Sequence, residues 1–236
     1  GTGAMDYDPL GARSLFFGGY QDQHISNQTC IYSNGAWTRL VPTTAPAARA
    51  EPAMAFDRLR GQGKVRFWGC TGLGEPAAVL DAIRTGALHS IQSCYNLLNP
   101  SAGGAVPDDF PYENYSQMID AAGAAGMGVI AIRVLAGGAL AGILDRHPVA
   151  ASTPNPLGSS RDYASDVAHA QRFAFLVEEG YAENLAEAAI RFVISKAAVS
   201  SALVGVSSAE QLEAAVAAVE RGPLPAPALT KIAATL

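Results

Sequence analysis

The sequence predicts an α/β chain: four strand–helix units in series, half the number that closes an eight-fold parallel barrel, behind a short all-β segment. Three observations predict it. Short apolar runs alternate with amphipathic helical stretches from about residue 64 onward. Before that point the apolar runs are strand-length and broken by turn residues, with Asn34-Gly35 as a two-residue hairpin signal. Between the two regimes, residues 58–63 mark an abrupt change of pattern.

In the first part, residues 12–19 read as a strand ending in Gly18-Gly19. Residues 27–33 read as another, and 37–41 as its return strand across the hairpin. Residues 42–46 are a proline-rich loop, and 52–57 start a further strand. After Gly63, residues 65–70 form an apolar strand. A helix over 75–86 follows, with Pro76 in its first turn and Gly86 as its stop. A second strand covers 90–96. Tyr115, Met118, Ile119 and Ala122 then fall at helical spacing. A third strand covers 129–135 and runs into a glycine-rich turn, and 143–160 reads as loop. Residues 164–180 are helical. Asn184 caps the next helix, with Glu187 three positions on. A fourth strand covers 201–206. The helix after it, 208–222, is expected to turn Leu212, Ala215, Val216 and Val219 inward, and Leu229, Ile232, Ala233 and Leu236 close the chain.

The 236 residues are 49% hydrophobic and 16% charged, a globular balance. A net charge of −5, with Lys64, Lys196 and Lys231 far apart, gives no nucleic-acid footprint. Cys30, Cys70 and Cys94 form no C-x-x-C pair, and His24, His89, His147 and His169 are isolated, so no metal site is expected. Residues 1–8 carry no signal-peptide pattern and no apolar run is long enough to span a bilayer, so a cytoplasmic protein is expected. The first residue is Gly rather than Met, which fits a fragment or a processed product.

Two resemblances follow from these residues. The first 60 or so resemble a kelch repeat, about one propeller blade. The likeness rests on Phe16-Phe17-Gly18-Gly19, on Tyr32 followed by Trp37, and on the phrases Ala4-Met5-Asp6-Tyr7-Asp8 and Ala53-Met54-Ala55-Phe56-Asp57 at about a blade's period. A generic β-meander is the plainer alternative. Residues 64–236 resemble the C-terminal half of an aldo/keto reductase. The landmarks are Val65-Arg66-Phe67-Trp68-Gly69-Cys70-Thr71-Gly72, Ile91-Gln92-Ser93-Cys94-Tyr95-Asn96, the run from Gly128 to Gly138, and the run from Leu203 to Leu212.

The second resemblance implies the last four units of a (β/α)8 TIM barrel that binds a nicotinamide dinucleotide, NADP with NAD not excluded. It also implies where the cofactor would be held. Thr71 and Gln92 stand where the family holds the nicotinamide amide. Arg133 stands beside the ring. Leu135 and Gly137 belong to a turn that approaches phosphate, and Gly205, Ser207, Ser208 and Gln211 to the turn and helix start that hold the adenosine end. Each has a plainer reading: a turn Thr, a strand-edge Gln, a surface Arg, a tight turn. Ser208 and Gln211 also make an S-x-x-Q capping box. No Lys or Arg stands in that turn, which leaves NADP against NAD open. The family's Asn after Thr71 is here Gly72.

The resemblance places the catalytic Asp, Tyr, Lys and His in the first four units, and residues 1–63 show no match to them. Gly72-Leu73-Gly74-Glu75-Pro76-Ala77 imitates a dinucleotide fingerprint, but the next strand lacks the acidic end that would bind ribose. Tyr95, Tyr112 and Tyr115 have no lysine near them in the order of strands. No catalytic residue is therefore assigned. The expectation is an aldo/keto reductase-like oxidoreductase scaffold, inactive as a lone chain and at most a dinucleotide binder. The alternatives are an interaction module, with a second copy or another chain completing the barrel, and an artefactual junction of two segments near 58–63.

Overall fold

The computed structural model describes residues 4–8, 13–17, 20–21, 24–25, 29–40, 63–150 and 154–236, with side chains described for 30–39, 63–150 and 154–236. It divides into two units, Gly1–Arg66 and Phe67–Leu236.

The first unit is built on hairpins. β1 (Ala4–Asp8), β2 (Arg13–Phe17), β5 (Thr29–Ser33) and β6 (Ala36–Leu40) form a four-stranded antiparallel sheet in that order. Two short strands, β3 (Tyr20–Gln21) and β4 (His24–Ile25), pair with each other. The β5–β6 turn is where the sequence puts it: Asn34 and Gly35 both have positive φ, 49° and 79°, as a primed two-residue turn requires. That register sets Tyr32 opposite Trp37, with ring centroids 5.1 Å apart. The second copy of the repeated phrase, and the strand expected over 52–57, lie outside the described residues.

The second unit is a parallel sheet of β7 (Gly69–Thr71), β8 (Ser90–Cys94), β9 (Gly128–Ile132) and β10 (Ser201–Ala202), ordered as in the chain. Helices follow each strand: α1 (Pro76–Arg84), α2 (Met118–Ala124), then α3 (Tyr163–Ala170), α4 (Phe175–Glu178) and α5 (Leu185–Ile194), and finally α6 (Ala209–Glu220) and α7 (Ala226–Thr235). Side chains alternate across a strand. Ile91, Ser93, Val129 and Ala131 are fully buried on one face, against a core that includes Met118, Ile119, Leu176 and Val193. On the opposite face Thr71 is exposed and Gln92 and Ile130 half-buried. Helices thus cover one face of this parallel sheet.

Capping chemistry sets the helix starts. Asn184 Oδ1 accepts from Glu187 N–H at 2.9 Å, and Glu75 caps α1 through the N–H groups of Ala77 and Ala78. Strand β7 begins later than the apolar run suggests, because Phe67 is 67% exposed and only Gly69–Thr71 pair with β8. The helix expected over 164–180 is broken by a 3₁₀ turn at Gln171–Phe173.

A larger departure concerns α6. Leu212, Val216 and Val219, expected to face inward, are 53%, 52% and 50% exposed, and only Ala218 of this helix is buried. The helix is amphipathic as read, but no described element covers that stripe.

The loops after β8 and β9 are tied together by buried amides. Gly158 has φ +65°, and a Cβ there would lie 2.3 Å from Tyr115 Oη. Gly158→Ala therefore combines left-handed strain with a clash. A stability loss of about 2 kcal/mol or more is expected in chemical denaturation. A variant as stable as the parent would show that Tyr115 does not pack there.

Candidate functional site

The C-terminal ends of parallel strands are where side chains from separate units converge. Thr71 and Gln92 are register partners on β7 and β8, on the face that the helices leave uncovered. Gly72 explains a sequence departure. A Cβ there would meet Ile91 Cδ1 at 2.9 Å and the Gln92 carbonyl at 3.1 Å, while Gly72 N–H donates to that carbonyl at 2.7 Å. An asparagine there would have to push the Ile91 side chain aside and crowd the Gln92 carbonyl.

Arg133, just past β9, has φ 60°, a left-handed value that costs energy for a residue with a Cβ. Two donors hold its carbonyl: Asn96 Nδ2 at 2.9 Å and Ala136 N–H at 2.7 Å. Asn96 is 1% exposed, and its Oδ1 accepts from the N–H groups of Leu98 and Asn99. Beyond Leu135 the chain turns through Gly137 (φ 69°) and Gly138 (φ 104°). A Cβ on Gly137 would sit 2.5 Å from Pro154 Cγ, so the turn is closed to side chains by contact as well as by φ.

One cleft of about 880 Å³ gathers much of this. Of the residues singled out in the sequence, Arg133, Leu135, Gly137, Gly205, Ser207 and Gln211 line it; Thr71, Gln92 and Ser208 do not. Pattern reading missed further lining residues, Arg146, His147, Tyr163, Glu187 and Arg221 among them. Arg146 Nη1 donates to the Gly137 carbonyl at 2.6 Å, and its guanidinium lies 5.2 Å from the centroid of the Tyr163 ring. It comes from the loop over 143–160, where no spacing rule points to it. A cationic group thus stands at the glycine turn, though none stands in the sequence around Ser207.

The turn before α6 shows its capping role directly. Ser208 Oγ accepts from Gln211 N–H at 3.3 Å, and Gln211 Oε1 accepts from Ser207 N–H at 2.7 Å. Gln211 thus reaches one residue further back than the usual box. Its side chain would have to let go of Ser207 to touch a ligand. Glu210's own backbone N–H and the Ser208 hydroxyl hold the Glu210 carboxyl below its ordinary value. His147 adds a coulombic pull in the same direction.

The wall of the cleft on α5 is ionic. Glu187, 7% exposed, accepts from Arg191 Nη1 and Arg221 Nη1, both at 2.9 Å, and from Glu183 N–H at 3.2 Å. Arg221 also pairs with Glu183. Burial works against ionisation of Glu187. The hydrogen bonds from Glu183, Arg191 and Arg221 outweigh it, and its carboxyl is held below the usual range.

Tyr95, Tyr112 and Tyr115 are the acid candidates that the sequence offers. Tyr95 and Tyr115 are buried, and burial raises both phenols above their ordinary value. Burial likewise pushes the neighbouring Cys94 thiol up to about 11. Tyr112 differs: its Oη lies 2.5 Å from His169 Nδ1, and Ser160 Oγ lies 3.0 Å from the same nitrogen. These residues are 57 positions apart, so the order of strands could not pair them. Neither Tyr112 nor His169 lines the cleft. Among the described residues no group of three or more His, Cys, Asp or Glu side chains is placed to hold a metal ion, and no helix is long and apolar enough to cross a membrane.

The Aldo/keto reductase family model matches residues 31–236, and the chain belongs to that family. The match starts 33 positions before Lys64 and takes in part of the kelch-like segment. No curated protein matches the chain. Among solved structures it is similar to the aldo-keto reductase AKR11C1 from Bacillus halodurans in its holo form: 19% identity, TM-score 0.54, covering 76% of this chain and 53% of that one. It is likewise similar to the glycerol dehydrogenase AKR11B4 from Gluconobacter oxydans: 21% identity, TM-score 0.54, covering 76% of this chain and 51% of that one. At these identities the likeness is one of fold. The chain spans about half the length of these structures.

Proposed function

We propose that this chain is an aldo/keto reductase-type oxidoreductase scaffold. In this reading it holds a nicotinamide dinucleotide, NADP or NAD, along the C-terminal ends of β7–β10 and, by itself, does not turn over a carbonyl substrate. The observation that carries the reading is the convergence of Arg133, Leu135, Gly137, Gly205, Ser207 and Gln211, from two separate βα turns, on one cleft. The fit to a dinucleotide is chemical. The Gly137–Gly138 turn excludes side chains, and Arg146 and Arg133 bring cations to phosphate; at the start of α6 the N–H groups of Ser207 and Gln211 become available once the capping side chains release them. Thr71 and Gln92 offer a hydroxyl and an amide to a carboxamide at the other end.

The bound cofactor would supply hydride. The residues here bind and orient it, and none assigned to the site donates a proton. For the first unit the kelch-blade reading is retained as a proposal, supported by its four antiparallel strands in one sheet. Completion of the barrel by another chain belongs to the same reading.

Calorimetric titration with NADPH and with NADH tests it. Saturable binding is expected at about 100 µM, about −5.5 kcal/mol. Gly137→Val should weaken it at least about tenfold by filling the turn. No binding of either dinucleotide to folded protein would refute the reading.

A further inference from the structure

We infer that the second unit carries a further small-molecule site, separate from the cleft, for a neutral monocyclic aromatic ligand whose carbonyl oxygen accepts from the Tyr95 hydroxyl. The inference does not rest on the cofactor reading. The site is a pocket of about 240 Å³ between α5, α7 and the loop after β8, and it shares no lining residue with the cleft.

Tyr95 follows β8 directly and is 5% exposed. Its ring stacks on Phe192 of α5, with centroids 5.1 Å apart at 29°. A Cβ on Gly103 would lie 2.7 Å from Tyr95 Cε2 and 3.2 Å from its Oη. The hydroxyl end of the ring therefore sits against the loop that supplies Pro100, Gly104 and Ala105 to the pocket. Among the described residues that hydroxyl has no hydrogen-bond partner. Buried hydroxyls are ordinarily bonded, so an unbonded one at an open pocket marks a place for a ligand atom. Burial, and then the Asp120 carboxylate, hold the phenol above its ordinary value, so it meets a ligand as an O–H donor.

Size, shape and charge set the ligand class. An apolar cavity of about 150 Å³ holds one benzene, so a pocket of about 240 Å³ admits one ring with a short substituent and no drug-sized molecule. Phe192, Leu229 and Ile232 give that ring aromatic and aliphatic walls. Lys196 lines the pocket too, but its ammonium is matched by Asp120 at 2.6 Å. An anionic ligand would set a second carboxylate beside Asp120 with one cation between the two, which repulsion and burial both oppose. A neutral carbonyl takes the Tyr95 proton and leaves that pair undisturbed.

Calorimetric titration of the full chain with acetophenone tests the proposal. Saturable binding is expected at a Kd of about 0.3 mM, ordinary for a ligand of this size. Tyr95→Phe should weaken it about fivefold, the loss of one hydrogen bond. Ethylbenzene, the same ring without an acceptor, should bind the parent and Tyr95→Phe alike, and benzoate should bind the parent more weakly than acetophenone. Tyr95→Phe should also keep the parent's urea midpoint, because the hydroxyl it removes bonds nothing in the protein. Ala233→Trp, at an exposed position on the pocket wall, should abolish acetophenone binding with circular dichroism unchanged. If that variant fails to fold, Ala105→Trp, exposed on the facing loop, plugs the pocket instead. No binding of acetophenone to the folded parent overturns the proposal. So does binding that the tryptophan plug leaves intact, or equal affinity of acetophenone for the parent and Tyr95→Phe. A clear fall in the urea midpoint of Tyr95→Phe would show that the hydroxyl already has a protein partner, and overturns it as well.

Discussion

Glu187→Leu is expected to destabilise the second unit by about 3–5 kcal/mol, the cost of stranding a buried charge after its partner is removed. Arg191 is 12% exposed and would lose its carboxylate. It would keep carbonyl partners at Tyr181, Gly222 and Pro223, which hold the guanidinium in place without neutralising it. Arg221 would lose one of two carboxylates. Urea denaturation measures the loss, and an unchanged midpoint would show that the cluster contributes nothing.

The pH dependence has a definite sign. Folding holds the Glu187 carboxyl below its ordinary value, near 4.5, so the folded state favours the ionised form. The stability this supplies is complete above that value and is lost as pH falls through the lower, folded value. Glu187→Gln should therefore flatten the fall in stability of the parent below a pH of about 4.5.

The second large effect is expected at Asn99, which is fully buried. Its Nδ2 donates to the carbonyls of Glu113, at 2.8 Å, and Gly158, at 2.5 Å. Its Oδ1 accepts from the N–H and the hydroxyl of Ser101. Asn99→Leu strands the Gly158 carbonyl and the Ser101 N–H, while the Ser101 hydroxyl and the Glu113 carbonyl keep each other at 3.1 Å; at about 1–3 kcal/mol for each stranded group, a loss of about 4 kcal/mol is expected. The consequence is also functional. The Gly158 contact fixes the loop that carries Pro154 and Tyr163 to the cleft, so dinucleotide affinity should fall along with stability. Stability lost with affinity intact, at a temperature where the variant is folded, would separate the loop from the site.

What was legible in the sequence follows from range. Caps and turns are local: Asn184, Pro76 and Asn34-Gly35 mark their elements because the groups they satisfy lie within four residues. The helical stripe of Met118, Ile119 and Ala122 was also legible, since its period survives whatever packs on it. The stripe of Leu212, Val216 and Val219 read the same way and proved exposed, because periodicity reports an apolar face and not what covers it. The cleft was half legible. Gly137, Gly205 and Ser207 belong to turns with recognisable residue order. Arg146 against Gly137, Arg221 against Glu187 and Tyr112 against His169 are contacts made by folding alone.

The proposed function is a dinucleotide grip that does not turn over by itself, with Tyr163 and His147 the proton-bearing side chains of the cleft that could act otherwise. The most direct test mixes the purified chain with NADPH and a small aldehyde, protein in excess over cofactor, and follows the absorbance of the reduced nicotinamide while calorimetry reports binding. Binding with no loss of absorbance beyond a protein-free control is the predicted result. Steady oxidation of NADPH that depends on both aldehyde and protein would contradict it.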